Sequence, residues 1–201
     1  MEKPSRDFEA VLRLEWDEYL RLEDPPTARL EYEHGRLIVS PTGANAHDLL
    51  IGILVSIFDR YEESAATRAC IAMSEHSFFM PPGERDLRPD LGVITDQRKD
   101  RPLPRKGWID GAPNIAIEVL SPSTEKRDRT FKAARYFEEG TSEYWLFDPI
   151  GEAAEFLRRG ASDWEPVAAV EDRYATDLLP GFELSLPDLW RRLRRKLGEP
   201  A

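Results

Sequence analysis

The sequence predicts a mixed α/β fold, and three observations carry that reading. Between Asn45 and about Tyr61, the residues Leu49, Leu50, Ile53, Leu54, Ile57 and Phe58 fall on one helical stripe. Short apolar runs bounded by proline and glycine follow it, which is the pattern of strands. A segment with helical start and stop signals then separates the third run from a fourth.

In chain order, residues 11–22 place Val11, Leu12, Leu14, Trp16, Tyr19, Leu20 and Leu22 at roughly helical spacing, so a short N-terminal helix is expected before Asp24-Pro25-Pro26. Arg29 to Glu33 and Arg36 to Val39 flank His34-Gly35, a hairpin signal. The long helix comes next. Arg68 to Met80 reads as a strand ended by Pro81-Pro82-Gly83, and Leu91 to Thr95 as a second, introduced by Arg88-Pro89-Asp90. The charged stretch from Thr95 to Ala112, with Pro102, Pro104 and Gly107, reads as an exposed loop. Asn114 to Leu120 is a third strand, its near-continuous apolar character implying burial on both faces. Thr124 is placed to cap a helix that runs to about Glu139 and stops at Gly140. Glu143 to Asp148 is a fourth strand, shorter ones follow near Ala154 to Arg158 and Trp164 to Val170, and Leu186 to Leu197 forms a last helix started by Ser185 or Pro187. No repeat or low-complexity linker divides residues 1–201, so a single domain is expected.

Composition narrows the function classes. The 201 residues carry 28 basic and 38 acidic side chains, a formal net charge of -10. Such a chain does not adhere to nucleic acid through its overall charge, but an enzyme that cuts a phosphodiester needs acidic groups in its site and only a local basic rim. Basic residues gather in Arg98 to Lys106, Lys126 to Arg135 and Arg191 to Lys196. Cys70 is the lone cysteine, which excludes an intrachain disulfide, and one cysteine with three histidines cannot build the usual tetrahedral zinc site. Any metal must therefore be held by oxygen. The apolar stretch Leu49 to Phe58 is too short for a bilayer and the first residues lack a signal-peptide core, so the expectation is a cytoplasmic protein without a membrane partner.

The strongest local anomaly is Glu118, which breaks the apolar run Ile115-Ala116-Ile117-Glu118-Val119-Leu120. Burying an ionised carboxylate costs several kcal/mol unless a raised pKa, an arginine partner or a metal cation offsets it. Asp90, at the start of the preceding strand, is a second carboxylate of the kind a hard divalent cation takes. Each alone has a plainer explanation: turn chemistry after proline for Asp90, and a structural ion pair for Glu118. Asp128, Lys132 and Tyr136 recur every four residues, so they share one helical face, and Asp128 is placed to orient Lys132; a surface ion pair between them is the plainer alternative. Cys70 reads as a small buried hydrophobe, and Trp108, Trp145, Trp164 and Trp190 as core or interface aromatics.

Taken together, Arg88-Pro89-Asp90, Ile117-Glu118-Val119-Leu120-Ser121-Pro122-Ser123-Thr124, the later Asp128 and Lys132, and Glu143-Tyr144-Trp145-Leu146-Phe147-Asp148-Pro149 resemble the Uma-type family of putative restriction endonucleases, within the PD-(D/E)xK nuclease superfamily. The likeness extends to Arg29-Leu30-Glu31, Gly35-Arg36-Leu37 and His47, covering roughly residues 10 to 190. It implies a restriction-endonuclease-like mixed sheet core flanked by helices, to which the residue pattern adds the N-terminal helix and hairpin. It implies Asp90 and Glu118 as magnesium ligands on adjacent strands, the Val119 main-chain carbonyl as a third, and manganese as a substitute ion. The usual motif lysine, two residues after the glutamate, is Leu120 here, and Lys132 is the position from which the resemblance supplies the missing ammonium. Glu31 matches an acidic residue that would serve as an outer ligand, against an exposed strand glutamate; His47 is a candidate base, against a polar residue at a helix end.

Two readings of function follow. One is a magnesium-dependent endonuclease hydrolysing DNA, with Asp90, Glu118 and Lys132 catalytic, Glu31, His47, Asp128 and Tyr136 as further candidates, and a homodimer assembled through the apolar strand Glu143 to Phe147 and the arginine-rich last helix. The other is a catalytically inactive nuclease-fold protein that binds nucleic acid or acts in assembly, which Leu120 and the acidic surface favour.

Overall fold

The computed structural model describes residues 10–23, 25, 28–41, 45–64, 70–74, 76–80, 85–95 and 109–200. In chain order the elements are β1 (Ala10–Arg13), α1 (Trp16–Tyr19), β2 (Ala28–Glu33), β3 (Arg36–Pro41), α2 (Asn45–Ser64), β4 (Cys70–Ser74), β5 (Phe78–Met80), β6 (Arg85–Leu87), β7 (Leu91–Thr95), β8 (Ile109–Asp110) and β9 (Ile115–Val119). There follow α3 (Glu125–Arg127), a π-helical turn Asp128–Lys132, α4 (Ala133–Glu138), β10 (Glu143–Asp148), β11 (Ala153–Arg159), β12 (Trp164–Val167), β13 (Arg173–Ala175), β14 (Glu183–Ser185) and α5 (Leu186–Leu197). The strands form one sheet in the order β1-β3-β2-β6-β5-β8, a second in the order β12-β11-β10-β9-β7-β4, and the small pair β13-β14.

The second sheet holds the core. Its central strand β9 runs parallel to β10 and antiparallel to β7, and is buried on both faces as its apolar run implied. Ile115, Ile117 and Val119 pack with Leu50, Ile53, Leu54 and Phe58 of α2 and with Leu189 and Leu193 of α5. The alternate residues Ala116 and Leu120 meet Ala133 and Tyr136 of α4 and Phe78, Met80 and Leu87 of the first sheet. Strand alternation therefore puts Glu118 on this second face, where two sheets and the α3–α4 segment meet.

The hairpin β2–β3 forms as the sequence implied: His34 (φ 43°) and Gly35 (φ 82°) are both left-handed, which matches the strand twist. The helix expected over residues 11–22 shrinks to the single turn α1. Val11 and Leu12 instead pair with Ile38 and Leu37 of β3, because the open hairpin edge offers backbone partners that override local helical spacing. The strand expected over Arg68 to Met80 is two strands in different sheets, β4 on β7 and β5 on β6. Met73 packs beside Phe78 and Met80 in one apolar cluster, so hydrophobicity alone did not mark the crossing. In the stretch read as a loop, Ile109–Asp110 is a short strand; residues 96–108, with the basic run to Lys106 and Trp108, lie outside the described residues, as does the Cys70 side chain.

Trp145 and Trp190 are core residues, and the part-buried Trp164 packs at the edge of the second cluster with its Nε1–H donating to the Ala133 carbonyl at 2.8 Å. Of the surfaces expected to support self-association, the apolar ones are covered within the chain, while Arg191, Arg195 and Lys196 of α5 are exposed. β10 is an interior strand with Glu143 to Phe147 buried, and the apolar face of α5 packs into the core through Leu189, Trp190 and Leu193. Among the described residues no helix is long and apolar enough to cross a membrane.

Candidate functional site

Antiparallel pairing of Leu91 with Ile117 sets Asp90, one residue before β7, level with Glu118 on β9. The two acids are laced together by main chain. The Asp90 N–H donates to Glu118 Oε2 at 3.3 Å, and the Val119 N–H donates to Asp90 Oδ2 at 2.7 Å. Asp90 is 3% and Glu118 1% exposed, so the pair lies inside the protein.

Lys132 meets them from the helical segment. Its Nζ lies 2.9 Å from Glu118 Oε1 and donates to the Arg88 carbonyl at 2.9 Å, with Glu31 at 3.6 Å and Asp128 at 3.9 Å. Of the three offsets open for Glu118, the cationic partner is a lysine from a later helix and not an arginine, and the Glu118 carboxyl pKa is also raised. Asp128, Lys132 and Tyr136 are all buried on one face, which excludes a surface ion pair. Within the π-helical turn the Asp128 carbonyl accepts from both the Ala133 N–H, five residues on, and the Tyr144 hydroxyl at 2.9 Å; that second bond accompanies the widened turn.

The first sheet contributes the third wall. On β2, Leu30 and Tyr32 face the aromatic cluster of Tyr19 and Trp16, and the alternate residues Arg29, Glu31 and Glu33 face the site and its helix. Glu31, 2% exposed rather than on an open strand face, pairs with Arg127 and accepts from the Arg88 N–H at 2.9 Å. Arg29 pairs with Asp90 Oδ1. His47 lies in the first turn of α2 and is buried; its Nε2 is 3.1 Å from Asp90 Oδ2 and its Nδ1 2.9 Å from Asp48.

These contacts set the charge states. Burial acts to raise Asp90, but the bond to His47, its charge and Arg29 hold the carboxyl well below the usual range. Burial also acts to raise Glu31, and Arg127 and Lys132 bring it down to about 2. Glu118 goes the other way: burial pushes its carboxyl up, and Asp90 and Asp128 add to that against the opposing Lys132. Asp128 is raised for the same reasons, burial foremost. Desolvation would free the Lys132 proton, yet Glu118, Glu31 and Asp128 raise its pKa and keep it an ammonium. Burial, the largest single influence, acts to lower His47, and the bond to Asp90, the charge of Asp90 and the bond to Asp48 together raise it. Tyr136, wholly buried and without a hydrogen-bond partner among the described residues, is pushed up by burial and stays a neutral phenol.

The donor set suits a hard dication: two adjoining carboxylates, one of them short of positive charge because burial and two neighbouring acids outweigh its lysine. Among the described residues no three acidic, histidine or cysteine side chains form a ready-made cage, so such an ion would keep water or substrate oxygens in its shell. The sequence singled out Asp90, Glu118, Lys132, Glu31, His47, Asp128 and Tyr136, and all seven meet here; Val119 meets Asp90 through its N–H. It missed the roles of Arg29, Arg127 and the Arg88 main chain. The alternation Arg29-Leu30-Glu31-Tyr32-Glu33 was the available signal, since it gives β2 a charged face opposite an apolar one.

A solved structure described as "a putative nuclease belonging to DUF820" from Anabaena variabilis is similar to this chain at 25% identity, with a TM-score of 0.71 over 90% of this chain and 99% of that one. The two chains share one fold. The sequence profile of Uma2, "Putative restriction endonuclease", matches residues 16–187, and the chain belongs to that family. No curated protein matches it.

Proposed function

We propose that the protein is a magnesium-dependent endonuclease hydrolysing DNA phosphodiester bonds, with Asp90, Glu118 and Lys132 at its centre. The observation that supports this most is the convergence of two carboxylates, 28 residues apart, with a helix-borne ammonium 2.9 Å from one of them. Asp90, Glu118 and the Val119 carbonyl would hold magnesium, or manganese in its place. When bound there, the ion supplies Lewis acidity toward a phosphoryl oxygen and acidifies water beside it. Lys132, kept protonated by three acids, offsets the negative charge that develops on the attacked phosphate. Glu31 and Asp128 hold that ammonium in place. His47 and the Val119 N–H fix the orientation of Asp90. Lys132 takes over the role of the motif lysine because Leu120 and Glu118 point to the same face of β9, the face that α4 covers. Arg29, Arg88 and Arg127, with side chains 10–15% exposed, form the local basic rim of a chain that is acidic overall.

The test is magnesium-dependent nicking of plasmid DNA. The wild type nicks, chelation stops it, and Asp90→Asn and Glu118→Gln lower the rate by at least about a hundredfold, the scale of losing a group that acts in the transition state. Equal rates in all three proteins would remove the proposal.

The second reading, an inactive nuclease-fold scaffold for nucleic acid or assembly, is favoured by a specific observation. All four oxygens of Asp90 and Glu118 have protein partners, and both residues are 3% exposed or less. Calorimetric titration with magnesium separates the two: the scaffold shows no binding that depends on Asp90. Cleavage of both strands by one centre per chain calls for a homodimer or for two separate nicks, and light scattering of the eluted protein decides between them. A cytoplasmic location goes with a DNA substrate.

A further inference from the structure

One oxygen of the acid pair is held differently from the others. Asp90 Oδ2 accepts from the Val119 N–H and faces His47 Nε2; Glu118 Oε2 accepts from the Asp90 N–H, and Oε1 from Lys132. Asp90 Oδ1 is paired with the Arg29 guanidinium, which comes from the other sheet and is the most exposed of these partners, its side chain at 13% against 5% for Lys132 and 7% for His47. Main-chain donors cannot leave without breaking the β7–β9 contact, and Lys132 lies deeper, its side chain 5% exposed and its ammonium on Glu118 rather than Asp90. Arg29 is the long, outermost side chain on the acid that a cation would use.

We infer that Arg29 is the resident counter-ion of this site and that a divalent cation binds in competition with its hold on Asp90. The inference rests on the metal-dependent reading above. Both cations neutralise the same buried charge, and like charges packed on one carboxylate repel, so the Arg29-paired state is the one that binds the ion poorly. Apparent affinity is then the intrinsic affinity reduced by the fraction of molecules in which Oδ1 is released.

The experiment is calorimetric titration of manganese into the whole protein, using wild type, Arg29→Gln and Arg29→Lys. The glutamine keeps a hydrogen bond toward Asp90 without the charge, and the lysine keeps the charge. Arg29→Gln binds manganese about tenfold or more tightly than wild type, and Arg29→Lys stays within about threefold. Affinity in Arg29→Gln that equals or falls below a measurable wild-type affinity overturns the inference and leaves the metal reading standing. Absence of binding in both overturns the two together, whereas binding by Arg29→Gln alone supports both. Should the glutamine variant fail to fold, the wild type carries the test: the Arg29 Nε–H resonance, assigned by its loss in Arg29→Lys, shifts with added magnesium at the half-saturation that calorimetry gives. A resonance that stays fixed while magnesium binds overturns the inference.

Discussion

At the scale of single residues, the account turns on compensated burial. Glu118 and Lys132 are 1% and 4% exposed, and Lys132 keeps its charge inside the protein because Glu118, its nearest acid, acts with Glu31 and Asp128. Lys132→Met therefore destabilises by about 3–5 kcal/mol, the usual cost of stranding one member of a buried pair. Pairing it with Glu118→Gln recovers most of that loss in urea unfolding and leaves nicking abolished; additive losses in the double variant would contradict the pairing. Two other acids give opposite pH signatures. Glu31 is depressed from 4.5 to about 2, so its contribution is whole above pH 4.5 and disappears as pH falls through 2. Asp86 is raised from 3.8 to about 6, chiefly by burial and against the 2.5 Å bond from Tyr19. Its protonated form favours the fold, so that contribution is whole below pH 3.8 and is lost as pH rises through 6. Asp86→Asn removes this loss and raises stability at pH 7.5 by up to about 3 kcal/mol, read from thermal melts at pH 4 and 7.5. A gain no larger at pH 7.5 than at pH 4 would contradict the assignment.

At the scale of elements, the site depends on two sheets approaching closely. A Cβ at Gly92 on β7 would run into the ring of Phe78, which is wholly buried on β5 and has no room to yield. Gly92→Ala is expected to cost about 1–3 kcal/mol through overpacking, with the loss read in denaturant midpoints. Full stability in that variant would mean the sheets are held less tightly than Asp90 and Glu31 require. Such contacts explain what the sequence disclosed and what it withheld. Glu118 was legible because a charge inside the apolar run Ile115 to Leu120 violates the pattern of a buried strand, and the hairpin because His34-Gly35 supplies two left-handed residues. The face of Asp128, Lys132 and Tyr136 was legible from its four-residue spacing. β1, β6, β8, β13 and β14 were not, since strands of two to four residues take their conformation from partners distant in sequence. Arg29 was quoted only as a motif neighbour, because its acid lies 61 residues away and no local rule joins them.

At the scale of the whole molecule, the two sheets and the α3–α4 segment converge on one network in which Glu31, Asp90, Glu118 and Asp128 face Arg29, Arg127, Lys132 and His47. A ligand that binds only this assembled state stabilises the entire fold. Magnesium at a hundred times its dissociation constant is expected to add about 2.7 kcal/mol, and Asp90→Asn should show no such gain. Stabilisation of equal size in the variant would place the ion elsewhere on this acidic chain. The most direct measurement is a crystal structure grown with manganese, using anomalous scattering to locate the ion. The account predicts one strong peak bridging the carboxylates of Asp90 and Glu118. A map with no peak between them, at manganese concentrations that support nicking, would contradict it.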